Sequence, residues 1–213
     1  MSDTLALPKG WALNDMSPRY RLFRSMLRNL GALFLGFEVH GQERVPEKGP
    51  LIVAANHRRF FDPVFVSMAI PRRLRWMAKQ ELFTFPFGRP FYFVGAFPVD
   101  RRGGGRAALR TALGFLAEGR TLGIFPEGTR RKAGVSLEAK SGAALLAARS
   151  GAPVLPVFAD KIPGPAARLR GEKFHVYIGQ PMTIDNTNKG RKGYRRLADE
   201  ILRIIYALPE EQV

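Results

Sequence analysis

Hydrophobic positions along this chain recur with two periods. Short apolar runs bounded by glycine, proline or charge read as strands at 50–55, 74–78, 94–99, 121–125, 154–158 and 174–178, with a shorter alternating piece at 37–41. Between them lie segments with the three-and-four spacing of helices. One is the short apolar stretch 64–70, stopped by Pro71; others are 107–120, 137–150 ended by Gly151, and a closing segment carrying Tyr194, Leu197, Ile201, Ile204, Ile205 and Leu208. Strands alternating with helices argue for an α/β fold, a single domain built on a mixed, largely parallel twisted sheet flanked by helices. Pro156 inside the run 154–158 suggests an edge strand or a break. The proline- and arginine-rich stretch 161–171 reads as loop.

Residues 18–37 carry a different message. Leu22, Phe23, Met26, Leu27, Leu30, Leu33, Phe34 and Phe37 fill one helical arc about 140° wide, while Arg21, Arg24 and Arg28 fall on the other side. This is a basic amphipathic helix, preceded by a tail at 1–17 and followed by the main domain at 38–213. Its apolar run is far short of the roughly 20 residues that span a bilayer. Two uses stand: an interfacial helix with its arginines at lipid phosphates, or a helix that packs its apolar face on the domain. The stretch 81–94, with Phe83, Phe85, Phe87, Phe91 and Phe93 broken by two prolines and a glycine, is likewise either core or the lining of a groove for a fatty acyl chain.

Composition changes this picture in three ways. A net charge of +16 over 213 residues calls for a polyanionic partner, either nucleic acid or an anionic membrane. No zinc-finger or basic-zipper pattern supports nucleic acid. The absence of cysteine excludes disulfides, thiolate metal sites and a cysteine nucleophile, and fits a reducing compartment. Met-Ser-Asp-Thr at the start lacks the basic and apolar regions of a secretory signal, so none is expected.

The chemistry is concentrated after two of the strands. Asn56-His57-Arg58-Arg59-Phe60-Phe61-Asp62-Pro63 follows the first buried run. Residues five apart do not share a helix face, so His57 and Asp62 meet only if the chain turns between them. A carboxylate beside an imidazole fixes its tautomer and leaves the other ring nitrogen to accept a proton, which is the pair acid/base catalysis requires. Asp62 before Pro63 is equally a good cap for the helix that follows. The second block, Phe125-Pro126-Glu127-Gly128-Thr129-Arg130, ends the run 121–125. Gly95-Ala96-Phe97-Pro98-Val99-Asp100-Arg101 lies between the two blocks, and Val154-Leu155-Pro156-Val157 after them. The glycine-rich loop at Arg101 to Arg106 could cradle a phosphate but lacks dinucleotide-binding spacing.

These four blocks, in this order, resemble the glycerophospholipid acyltransferases, most closely the 1-acylglycerol-3-phosphate (lysophosphatidate) acyltransferases, over roughly residues 20 to 180. The resemblance implies a mixed twisted sheet wrapped by helices and an O-acyltransferase domain at 38–213. It also implies transfer of a fatty acyl group from acyl-CoA or acyl carrier protein to the sn-2 hydroxyl of 1-acyl-sn-glycerol-3-phosphate, giving phosphatidic acid. His57 and Asp62 are then the catalytic pair. Arg101, Glu127, Gly128, Thr129 and Arg130 are expected to hold the acceptor, with Lys140 a further phosphate contact. The implied partners are a lysophospholipid, an acyl thioester and an anionic membrane, with no nucleic acid, and the implied place is the cytoplasmic face of a membrane as a peripheral, monotopic protein. Many relatives carry Ser where this chain has Arg59, which puts the acceptor in question.

No serine stands in a Gly-x-Ser-x-Gly elbow and there is no cysteine, so direct transfer is favoured over an acyl-enzyme. Neither a cofactor nor a metal is expected, since His40, His57 and His175 look scattered and His40 and His175 have no evident role. The alternatives are an acyltransferase for glycerol 3-phosphate or a lyso-aminolipid, and a non-enzymatic binder of anionic membrane or nucleic acid.

Overall fold

The structure, a computed structural model, describes residues 16–83, 88–99, 105–129, 139–184 and 190–211. Among them seven strands make one sheet: β1 (Glu38–His40), β2 (Leu51–Ala55), β3 (Leu74–Lys79), β4 (Ala96–Val99), β5 (Thr121–Ile124), β6 (Val154–Ala159) and β7 (His175–Ile178). Their order across the sheet is β1-β7-β6-β2-β5-β3-β4. Every neighbouring pair is parallel except β6 with β7. The helices are α1 (Pro18–Leu35), α2 (Asp62–Ala69), α3 (Gly88–Phe93), α4 (Arg106–Ala117), α5 (Gly142–Ser150), α6 (Pro165–Leu169) and α7 (Arg191–Ala207).

The central strand shows why the sheet is buried on both faces. Ile52 and Ala54 of β2 enter one apolar layer with Phe115 and Leu116 of α4, Leu146 of α5 and Ile201 and Ile205 of α7. Leu51, Val53 and Ala55 enter the opposite layer with Val66 and Met68 of α2, Phe37 and Phe174. A continuous apolar run is what a parallel strand covered by helices on each side requires. Because β2, β3, β4, β5 and β6 all run one way, their carboxyl ends form one rim. The chain lays down β3, β4 and β5 on one side of β2 and crosses to β6 on the other, so the strand order reverses beside β2, where open α/β sheets leave a crevice.

Several expectations are corrected. Pro156 lies in the interior strand β6, fully buried, not at an edge. It is tolerated because the partner on its nitrogen's side has ended: β7 stops at Ile178, Gly179 N–H donates to the Pro156 carbonyl at 2.9 Å, and pairing resumes only at the bridge between Val154 and Met182. The stretch 161–171 contains a helix, α6, opened by Pro165 at its first turn. Helix α5 begins at Gly142, later than its apolar pattern suggested, because Lys140 N–H is engaged by the Pro126 carbonyl at 2.6 Å.

The face that α1 turns to the domain is only partly the one expected: Phe23, Leu27 and Phe37 pack inward, but the rest of the apolar arc does not. Tyr20 and Gly31 are buried, Arg24 donates to the carbonyls of Ser67 (3.1 Å) and Met68 (2.9 Å), and Arg28 donates to Gln42 Oε1. Gly31 permits this approach, since a Cβ there would stand 2.7 Å from Met68 Cε. Two of the three arginines therefore point inward. Leu22, Met26, Leu30, Leu33 (69% exposed) and Phe34 (66%) are left facing solvent.

Other arginines are consumed similarly. Arg72 donates to the carbonyls of Pro46, Gly49 and Gly119; Arg73 donates to Phe93 O at 2.9 Å and lies over the Tyr20 ring; Arg75 is fully buried near the Phe115 ring. Burial, the leading influence, raises the Tyr20 phenol above its ordinary value, against the lowering effect of Arg73, Arg24 and Arg75. These arginines act as structural donors that hold loops and helix ends to the sheet.

Of the aromatic stretch, Phe83 contacts Phe91 and Tyr92, while Phe93 meets Tyr20 and Phe23 of α1. Phe85 and Phe87 lie outside the described residues. An apolar crevice between α1 and α2, lined by Tyr20, Phe23, Leu27, Val64 and Met68, holds about 20 Å³. That is room for about one water molecule, not for an acyl chain.

Candidate active site

The turn after β2 is built by one carboxylate. Asp62, 1% exposed, does not cap α2; its Oδ2 reaches back to accept the backbone N–H groups of Arg58 and Arg59, each at 2.6 Å. The same oxygen lies 3.2 Å from His57 Nδ1. An oxygen that already accepts two amide protons has only lone pairs to offer, so Nδ1 carries the ring proton and donates it to Asp62. Nε2 is therefore the basic nitrogen, with no partner among the described residues. Asp62 thus makes no cap bond; it closes the loop and faces the imidazole.

The imidazole is held on other sides too. Its ring stacks on Phe125, the first residue of the second block, with centroids 4.0 Å apart and planes at 13°. Phe125 in turn stacks on Trp76 of β3 at 4.8 Å and 17°. Trp76 needs Gly123 on the neighbouring β5, where any Cβ would stand 2.6 Å from the indole. The indole N–H donates to Ser67 Oγ, whose own hydroxyl donates to Pro63 O. A continuous column thus runs from the sheet to the imidazole; of its members Phe125 belongs to the second block, while Trp76 and Gly123 stand in no motif.

Glu127, also buried, has an occupation that the resemblance did not suggest. Its Oε1 accepts the backbone N–H of His57 at 3.2 Å and the Tyr206 hydroxyl of α7 at 2.9 Å. Its Oε2 is buried with no hydrogen-bond partner among the described residues. Arg58 lies over the Phe158 and Tyr206 rings, at 5.1 and 5.7 Å from their centroids. Asn56, 1% exposed, pairs with both the N–H and the carbonyl of Ala159, tying the end of β2 to the end of β6. Arg59 donates to the Asp160 carbonyl at 2.9 Å and stands 3.9 Å from Asp62 Oδ1.

Gly128 has φ +70 and its Cα lies against the Lys140 chain, so a side chain there would be both strained and 2.7 Å from Lys140 Cγ. Thr129 is exposed beside it. His57, Asp62, Glu127, Gly128 and Thr129 are thus gathered at the carboxyl rim of β2 and β5. Arg101, Arg130 and the glycine loop at 102–104 lie outside the described residues. Phe60 and Phe61, on the turn between His57 and Asp62, are exposed.

Residues 36–160 match the sequence profile of the acyltransferase family. The chain is 30% identical over 165 residues to the 1-acyl-sn-glycerol-3-phosphate acyltransferase of Bacillus subtilis (strain 168), covering 76% of this chain and 82% of that protein. It is 35% identical over 127 residues to the human 1-acyl-sn-glycerol-3-phosphate acyltransferase beta, covering 58% of this chain and 46% of the human one. In fold it is similar to the crystal structure of the 1-acyl-sn-glycerophosphate (LPA) acyltransferase, PlsC, from Thermotoga maritima. The TM-score is 0.62 at 24% identity, over 93% of this chain and 84% of that one.

Proposed function

This chain belongs to the acyltransferase family, and on that premise we propose that it transfers a fatty acyl group from an acyl thioester to the free sn-2 hydroxyl of 1-acyl-sn-glycerol-3-phosphate, giving phosphatidic acid. The observation that carries the reading is the His57–Asp62 pair, with Nε2 engaged by none of the described residues. Nε2 takes the proton from the acceptor hydroxyl as its oxygen attacks the thioester carbonyl carbon. The C–O bond forms, the tetrahedral centre collapses, the C–S bond breaks, and the proton passes from Nε2 to the departing sulfur. Ester and free thiol are the products, and Asp62 steadies the imidazolium in between.

Glu127 acts here as a positioning residue. By gripping the His57 N–H and the Tyr206 hydroxyl it fixes where the imidazole stands relative to β5. Arg101, Gly128, Thr129 and Arg130 are proposed to hold the acceptor phosphate, and acyl-CoA or acyl carrier protein to donate. Oxyanion donors are required by the chemistry; the N–H groups of Arg58 and Arg59 are not available for this, being bound to Asp62.

The protein is proposed to work at the surface of an anionic membrane. No helix among the described residues is long and apolar enough to cross one. The exposed stripe Leu22, Met26, Leu30, Leu33 and Phe34 on α1, and Phe60 and Phe61 beside His57, are a surface that a lipid substrate's own bilayer would cover.

Purified protein given 1-acyl-sn-glycerol-3-phosphate and acyl-CoA should release free thiol and form phosphatidic acid. His57→Ala, confirmed folded by its melting curve, should lose about 10²–10⁴ in rate, the usual contribution of a general base. Thiol release unchanged in that variant would overturn the assignment, and release without phosphatidic acid would point to another acceptor.

A further inference from the structure

His40 and His175 are not scattered. Strands β1 and β7 pair in parallel with Glu38 opposite His175 and His40 opposite Tyr177. Side chains alternate along a strand, so Glu38, His40, His175 and Tyr177 share one face while Val39 and Val176 turn to the apolar layer on the other. The His40 ring stacks on Tyr177 at 4.9 Å and 15°, which sets its plane. His40 Nε2 then stands 3.0 Å from His175 Nδ1, and His175 Nδ1 stands 3.6 Å from Glu38 Oε2. One ligand atom from each of the three lies within 4.8 Å of the others, and all three residues are half-buried.

We propose that Glu38, His40 and His175 form a binding site for a divalent transition-metal ion of the zinc type, at the edge of the sheet and on residues that acyl transfer does not use. Two imidazoles and a carboxylate are the donor set for zinc, cobalt or nickel rather than for magnesium or calcium, which prefer oxygen alone. Tetrahedral zinc with bonds of about 2.0–2.1 Å separates its ligand atoms by about 3.3 Å, which the separations of His175 Nδ1 from its two neighbours, 3.0 and 3.6 Å, bracket. Lys173 holds the other carboxylate oxygen, Oε1, which orients the group and leaves Oε2 to the ion.

The competing account is that the two imidazoles share one proton and need nothing else. The bound ion differs from it in consequence: it would tie β1, which follows α1, to β7, 135 residues further on. The test uses tag-free, chelator-treated protein titrated with zinc by calorimetry and with cobalt by visible absorption. The expected result is one equivalent bound, cobalt bands of tetrahedral intensity, and a higher melting temperature in the presence of zinc. His175→Gln and Glu38→Gln should each weaken binding at least about tenfold, the scale on which lost supporting or ligating groups act. His57→Ala should bind zinc as the parent does, which separates this site from the catalytic one whether or not acyl transfer is found. No saturable binding, an octahedral cobalt spectrum, or parental affinity in both Gln variants would overturn the proposal.

Discussion

Replacing Asp62 by Asn tests the catalytic pair with little change of shape. If the amide oxygen takes the place of Oδ2, it can still accept from Arg58, Arg59 and His57, so the loop closes as before. What is lost is charge. At 3.2 Å and an effective dielectric constant of about 20, a full imidazolium–carboxylate attraction is about 5 kcal/mol. A proton about half transferred in the transition state realises about 2–3 kcal/mol of that, or about a 30- to 150-fold fall in kcat. The two short backbone bonds weaken from charge-assisted to neutral, costing about 2 kcal/mol of stability and about 4–8 °C in a domain of this size. The assay is steady-state thiol release well below the variant's melting temperature, with KM measured for both substrates. In the variant kcat should fall while KM holds, because the lost interaction belongs to the transition state. A folded variant whose kcat stays within about threefold of the parent, or whose loss lies wholly in KM, would refute it.

Tyr206→Phe removes one of the two donors to Glu127 Oε1 and should cost about 1 kcal/mol, or about 2–4 °C in Tm, with kcat lowered and restored in part at lower temperature. A variant indistinguishable in both Tm and kcat would mean that the contact positions nothing. On α1, the double change Leu33→Asp with Phe34→Asp alters two side chains more than half exposed, so Tm should hold. Co-sedimentation with phosphatidylglycerol–phosphatidylcholine vesicles should fall at least about tenfold, since each apolar side chain buried in lipid is worth about 1.5–3 kcal/mol. Undiminished sedimentation would remove α1 from the membrane contact.

The strands and the His57–Asp62 turn were legible because each is a local pattern: β2 is continuously apolar, and a five-residue spacing demands a bend. Where pairing is distant, the sequence was silent. Nothing in it joins His40 to His175, or Tyr206 to Glu127, because register and helix docking are tertiary facts. The helical wheel of α1 placed its arginines relative to its leucines correctly but not relative to the domain. Gly31, which marks the close approach to Met68, was the available signal. Pro156 misled because a proline forbids one hydrogen bond, not a position in the sheet, and here the missing bond faces the end of β7. Asp62 as a helix cap was sound chemistry overtaken by a competitor, the two N–H groups of its own turn.

One oxygen atom, Glu127 Oε1, joins points at 57, 127 and 206 in the chain. The region by which the family is recognised ends at residue 160, well short of the last of these. A fragment trimmed to the recognisable blocks would therefore keep every signature residue and still lose the clasp that α7 supplies. The part of a sequence that announces its chemistry and the part that makes that chemistry hold still have different boundaries.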